Sequence, residues 1–357
     1  MTMTSIEWTE RVWNPTTGCD RISPGCAHCY ARTIAGRFWA TQYQPNSDGS
    51  PRTFEDVRVH EDRLLEPLSW RKPSRVFVNS MSDLFHEAVP DEFIDKVFAV
   101  MALSGEHTFQ ILTKRPARML SYLTQRNEPE DALRLGIRIS RAVVELTKHK
   151  GPPRWRRESD WDEHLDFVAE YTWRKETFVL PNIWLGASVE DQQRADERIP
   201  LLLQTPAAIR FLSCEPLLGP VDLTKCGPMF EKLNRLQSHQ EAIDAGVFEV
   251  RRPLDWVIVG GESGPRARPC HVEWIADIVK QCRAASVPVF CKQMGSVPYV
   301  RAARLRHWEW REIHWPEDQR FSDAPDDPLG WRVHLADQKG GDPEEWPADL
   351  RVREFPR

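Results

Sequence analysis

Apolar and polar positions along this chain repeat one unit. A short β-branched or aromatic run ends abruptly in polar residues or glycine, and a segment of helix length follows. The runs are Val76–Ser80 (VFVNS), Phe109–Arg115 (FQILTKR), Ile183–Ser188 (IWLGAS), Ile209–Glu215 (IRFLSCE), Trp256–Glu262 (WVIVGGE) and Val287–Lys292 (VPVFCK). Nearly continuous hydrophobic strands separated by helical crossovers predict a parallel sheet buried on both faces. An earlier strand around Glu7–Asn14 would bring the units to six or seven. This pattern predicts an α/β protein with a full or partial (β/α) barrel of six to seven parallel strands. A doubly wound sheet is the weaker alternative, because no G-x-G-x-x-G fingerprint opens a helix.

Two stretches break the rhythm. Residues 127–180 are too long for one crossover and predict a helical insertion, which contains the basic run Lys148–Arg157 (KHKGPPRWRR). From Val297 onward, Arg301, Arg304, Arg306 and Arg311 interleave with Trp308, Trp310 and Trp315. The expected organisation is a barrel over 1–296 and an irregular, Trp/Arg-rich extension over 297–357 packed on it. Arginine beside aromatic rings suits phosphate neutralisation and base stacking. The acidic neighbours Glu158, Asp160, Asp162, Glu309 and Glu312 fit an ordinary solvated face instead.

Composition narrows this picture only slightly. The 357 residues suit one elaborated barrel or two ordinary domains. There is no apolar run of about 18 residues to span a membrane, and the net charge of −5 gives no global nucleic-acid footprint. With no charged-then-apolar leader and no disulfide framework in the cysteine spacing, a cytoplasmic protein with reduced thiols is expected.

Chemistry concentrates where the predicted strands end. Parallel barrels carry their active sites at the C-terminal rim. That rim would hold Cys19, Cys26, Cys29, Asn79, Ser80, Ser82, Asp83, Thr113, Lys114, Arg115, Ser188, Glu190, Ser213, Glu215, Glu262, Ser263, Lys292 and Gln293, with Gly260 and Gly261 letting the backbone approach a ligand closely or making a tight structural turn. The first strand would feed the loop Trp13–Tyr30 (WNPTTGCDRISPGCAHCY), in which Cys19, Cys26 and Cys29 are spaced C-x6-C-x2-C among Pro15, Gly18, Pro24 and Gly25. Such a loop lets the backbone wrap thiolates around a metal centre. Closed zinc sites and ordinary ferredoxin clusters take four ligands. Three cysteines on a four-iron, four-sulfur (4Fe–4S) cluster would leave one iron open to a small molecule. A zinc site completed by His28, His60 or His86 is the rival reading of the same trio.

With these residues in view, the chain resembles the phage Gp37/Gp68 family, also described as three-Cys-motif proteins. The matching stretches are Trp13–Ala31, Val78–Pro90, Ile111–Pro116, Asn182–Gln192, Arg210–Val221, Trp256–Arg268, Lys292–Gly295 and Gly341–Pro356. More distantly, the cysteine loop after a first strand looks like the radical S-adenosylmethionine superfamily. That likeness implies a partial (β/α)6-type barrel and a 4Fe–4S cluster on Cys19, Cys26 and Cys29. S-adenosylmethionine would chelate the open iron, and reductive cleavage would give a 5′-deoxyadenosyl radical. His28 holds the position before the last cysteine that lies near the adenine in that superfamily. Two features depart from its pattern. Six residues separate the first two cysteines where three is commonest. The Gly-Gly-Glu element also closes a late strand, as Gly260, Gly261 and Glu262, and not the second.

Asn79, Ser80, Ser82 and Asp83 stand where that element would be, as candidate partners for the cofactor's ammonium and ribose. Lys114, Arg115, Glu190, Glu215 and Lys292 would line the substrate side as anion-binding, acid–base or hydrogen-bonding groups. The substrate is open, with a nucleic acid or nucleotide as a candidate, and a separate partner protein is a further candidate. One rival is a metal-stabilised, non-catalytic nucleic-acid-binding protein; another is a hydrolase using Glu190 and Glu215.

Overall fold

In the computed structural model, the strands form where β-branched and aromatic residues cluster. The structure describes residues 4, 6–43, 45–124, 137–139, 141–146, 179–226, 254–300, 320–321 and 331–356. The expected insertion at 127–180, with its basic run, falls almost wholly outside them, as do Arg301 to Trp315 of the tail.

Seven strands make the main sheet: β1 (Arg11–Trp13), β2 (Arg75–Val78), β3 (Thr108–Thr113), β4 (Ile183–Ser188), β5 (Ile209–Cys214), β6 (Trp256–Gly260) and β7 (Val289–Gln293). They lie in sequence order, and the sheet is parallel and open, with β1 and β7 at its edges. The fold is therefore the α/β class in its partial-barrel form. Registers such as Val12↔Phe77 and Phe77↔Gln110, or Leu212↔Val257 and Ile258↔Phe290, set apolar residues side by side. All five residues of β6 are buried, as a parallel sheet covered on both faces requires.

Helices occupy the crossovers: α1 (Tyr30–Gln42), α2 (Asp91–Leu103), α3 (Pro116–Thr124), α4 (Gln192–Gln204) and α5 (Val272–Ala284). Helix α2 starts after Pro90 with Asp91 and Glu92 in its first turn, where carboxylates face the positive helix end. Ten of its residues are buried, from Phe93 to Leu103, so it is a core helix with little solvent face. Trp13, Trp256 and Trp346 are among the largest fully buried side chains. The tryptophans that the structure buries in this way are packing residues rather than exposed platforms.

The chain divides into two compact units. The first comprises Met1–Ile22, Cys29–Gly186 and Gln204–Ile209; the second comprises Ser23–His28, Ala187–Leu203 and Arg210–Arg357. In the second, the described C-terminal segment adds to the edge strand β7: Cys291 N donates to Val352 O (2.8 Å) and Glu354 N to Val289 O (3.0 Å). Among the described residues, no helix is long and apolar enough to cross a membrane.

Candidate metal centre

The eight cysteines fall into two groups. None is in a disulfide, but Cys214, Cys226, Cys270, Cys282 and Cys291 are buried, whereas Cys19, Cys26 and Cys29 are half-buried. Burial pushes the thiols of Cys226, Cys270 and Cys282 up to about 12, and that of Cys214 well above its ordinary value. A thiol held protonated is neither nucleophile nor ligand. The half-buried three are the trio that the spacing singled out.

In the first unit, the chain reaches Cys19 through Gly18, which sits at φ +96°; a Cβ there would lie 2.7 Å from Asp56 O. Gly18 N donates to Met81 O (3.0 Å) and Cys19 N to Phe54 O (2.8 Å). The first bond ties the cysteine loop to the segment after β2, and the second ties it to Phe54. Cys19, Cys29 and Met81 pack on the cluster Ala31, Ala35, Trp39 and Phe54.

Asn79 follows β2 with φ +63°, a left-handed conformation that asparagine tolerates better than other side-chain-bearing residues. It is 3% exposed. Its Nδ2 donates to Thr16 Oγ1 and to Ser82 Oγ (2.8 Å). Its Oδ1 is buried with no hydrogen-bond partner. Ser82 Oγ donates to Thr16 O (2.9 Å), and Ser80 Oγ pairs with the Asn14 side chain (3.2 Å).

Asp83 is saturated. Its Oδ1 accepts from Phe85 N (3.0 Å) and Thr113 Oγ1 (2.7 Å), and its Oδ2 from Lys114 N (3.0 Å) and Arg115 Nη1 (3.4 Å). A carboxylate has about four lone-pair positions, so Asp83 acts here as an anchor between the ends of β2 and β3. Lys114 gives it a main-chain N–H, and the Lys114 side chain is half-buried.

Arg115 was expected as a substrate-side cation. Its guanidinium instead meets Asp20 at Nη2, Asp83 at Nη1 and Glu87 at Nε (3.0 Å), and Nη1 lies 3.5 Å from Cys19 Sγ. Burial would depress its pKa, but Asp83, Cys19 and Glu87 raise it, so the charge is retained.

In the second unit, a 3-10 turn, Pro24–Cys26, carries Cys26. Ser23 Oγ donates to Glu190 Oε1 (2.5 Å) and lies 3.7 Å from Cys26 Sγ. Glu190 is fully buried and takes Arg198 Nη1 on its other oxygen (3.0 Å). A Cβ on Gly25 would sit 2.4 Å from Glu190 Oε1, so only glycine fits.

His28 Nδ1 is 3.2 Å from Glu262 Oε2. Arg268 grips Glu262 through its main-chain N, Nε and Nη2 at 2.7–2.8 Å and donates from Nη1 to Pro24 O (2.8 Å). Burial alone would raise the Glu262 carboxyl, but the bonds from Arg268 and His28 hold it below the ordinary carboxylate value. Lys292 Nζ pairs with Glu215 Oε1 (2.6 Å), which also accepts from Gln293 Nε2 (3.0 Å). Gly260 and Gly261 are needed for close packing on the following strand end: added Cβ atoms would meet Gln293 O at 3.0 Å and Met294 O at 2.3 Å.

The sequence reading named Glu190 and Glu262 but missed the arginines that hold them. A signal existed for both. Arg198 lies two helical turns after Glu190, and Arg268 stands six residues beyond Glu262 in the same matched stretch.

Among the described residues, no three or more His, Cys, Asp or Glu side chains are grouped as a metal-ion site. A cluster makes a different demand, because each thiolate binds its own iron. The donor set suits a cluster: three half-buried thiols outside any disulfide, one of them facing an N–H donor.

The chain belongs to a family described as proteins of unknown function (DUF5131), whose model matches residues 3–317. No curated protein and no solved structure matches the chain.

Proposed function

We propose that this member of the family is a radical S-adenosylmethionine-type enzyme that holds a 4Fe–4S cluster through Cys19, Cys26 and Cys29. The observation that carries the reading is the segregation of the cysteines. The three thiols left half-buried are those spaced C-x6-C-x2-C in the loop after β1, while the other five are buried. Three thiolates on four irons leave one coordination position open. When bound there, the cofactor supplies hydrogen-atom abstraction, chemistry that no side chain performs alone.

The chain's own groups have separate tasks. Cys19 and Cys29 rest on an apolar floor, and Ser23 and Pro24 fasten the turn that carries Cys26. The buried, unpartnered Oδ1 of Asn79 is an acceptor suited to an ammonium N–H. A buried acceptor left unsatisfied costs about 1–3 kcal/mol, so a ligand that supplies the donor gains from this site. Strained, buried, under-bonded residues of this kind concentrate at functional sites.

The test is anaerobic reconstitution of the full chain with iron and sulfide. About four irons per chain and a brown colour bleached by dithionite are expected, and Cys26→Ala should lose them. S-adenosylmethionine should perturb the electron paramagnetic resonance signal of the reduced cluster. Asn79→Gly, which tolerates the left-handed backbone, should keep the iron and weaken cofactor binding about 10- to 100-fold, as loss of one charge-assisted hydrogen bond implies. Stoichiometric zinc in a colourless protein would overturn the cluster. A loaded, reduced cluster indifferent to the cofactor would overturn the enzyme reading.

A further inference from the structure

Arg115 presents an unusual arrangement. Its side chain is 5% exposed and held by three carboxylates, yet Nη1, which meets Asp83 Oδ2 at 3.4 Å, also lies 3.5 Å from a cysteine sulfur. Three acidic partners, Asp20, Asp83 and Glu87, outnumber its single positive charge. An arginine serving only to neutralise its neighbours has no need of the sulfur contact. Its main chain is pinned as well, with Arg115 N donating to Thr113 Oγ1 (2.8 Å) at the end of β3. The planar guanidinium therefore has little freedom, and its geometry is prepared before any metal binds.

We infer that Arg115 is a positioning residue for the sulfur of Cys19 and sets the reduction potential of the cluster this sulfur would hold. This inference rests on the cluster reading above and adds a residue and a direction to it. Reducing a cluster by one electron adds negative charge, part of which resides on the ligand sulfurs. An N–H donor and a fixed positive charge at one sulfur stabilise the reduced form, which raises the potential; hydrogen bonds to the sulfurs and local charge are recognised determinants of cluster potentials. The carboxylates act in the opposite sense. Glu87 is the most exposed of them, with 67% of its side chain in solvent. It can therefore be altered without burying an unpaired group.

The sequence reading placed Arg115 among substrate-binding cations. With Asp20, Asp83, Glu87 and Cys19 around it, the guanidinium faces the metal ligand instead. The same arrangement explains the saturation of Asp83, which orients Arg115 from the end of β2 while holding Thr113 and Lys114 of the β3 end.

The experiment is a dithionite titration of the reconstituted full-length protein, followed by electron paramagnetic resonance. Arg115→Met should shift the midpoint to lower potential. Arg115→Lys, which keeps the charge but not the fork, should fall between Arg115→Met and wild type. Glu87→Gln should shift it to higher potential and keeps Arg115 in place, so it carries the test if Arg115→Met fails to fold. Arg118→Gln, which removes the guanidinium bound to Asp91 and Val89 O, is the control and should leave the midpoint unchanged. Iron and sulfide are measured first. A wild-type protein that takes up neither overturns the cluster reading itself. A loaded wild type whose midpoint is unmoved in Arg115→Lys and Glu87→Gln overturns the role of Arg115 alone.

Discussion

The strand ends of the two units carry similar polar residues, but these end in different states. In the second unit, charges meet and cancel: Glu190 with Arg198, Glu262 with Arg268, Glu215 with Lys292. Two of the pairs also hold the turn that carries Cys26, Glu190 through Ser23 and Arg268 through Pro24 O. In the first unit charges meet as well, Arg115 with Asp20, Asp83 and Glu87, but not every polar group at the strand ends finds an ordinary partner. Asn79 Oδ1 lacks a donor, and Arg115 offers an N–H to a sulfur. A charged residue at the end of a parallel strand is thus a poor marker of function by itself. An unsatisfied buried group is the better marker, because folding tolerates its cost only where something else offsets it.

This contrast makes graded predictions, and the largest effect belongs to the second unit. Glu190→Ala would leave Arg198 buried, 6% exposed at the side chain, without its carboxylate, which typically costs about 3–5 kcal/mol. Urea denaturation should show that loss, with a smaller one for Glu190→Gln. A stability within error of wild type would break the view of Glu190 as a clamp.

The next effect lies in the first unit and depends on pH. Burial, with Arg63 and Arg52 nearby, lowers the His60 pKa to about 4 from 6.5, and Nε2 lies 2.6 Å from Thr17 Oγ1. The folded state therefore binds this proton less readily than the unfolded chain. The contribution of neutral His60 is fully present above about pH 6.5 and is lost as pH falls from there through about 4. Up to about 3 kcal/mol is at stake, from the size of the shift. His60→Gln should flatten the acid limb of stability against pH, and an unchanged limb would remove His60 from the account.

The smallest effect is expected at Glu215 and Lys292. Their side chains are 16% and 24% exposed, so a double-mutant cycle with Glu215→Gln and Lys292→Met should yield a coupling of roughly 0.5–1 kcal/mol. A much larger coupling would make this pair a clamp of the Glu190 kind. Loss of cofactor binding with no coupling would return Lys292 to the functional site.

Much of the architecture was legible from hydrophobic patterning. Runs such as WVIVG and IRFLSC are too continuously apolar for a half-exposed strand, and their spacing leaves room for a crossover helix. A parallel sheet in order follows from these two facts. The cysteine trio was equally plain, since ligand spacing is a local property of the loop. Pairing was not legible, because it depends on contacts between residues far apart in the chain. Arg268 reaches Pro24 across 244 positions, and Arg115 reaches Cys19 across 96. Sequence alone therefore determined which strands form, their parallel character and which thiols are available. Only the tertiary structure decided that Glu190, Glu215, Glu262 and Asp83 are already engaged, that Asn79 Oδ1 is buried without a donor, and that Arg115 meets a cysteine sulfur. Hydrogen-bond satisfaction is summed over every neighbour in space, and chain order does not specify those neighbours.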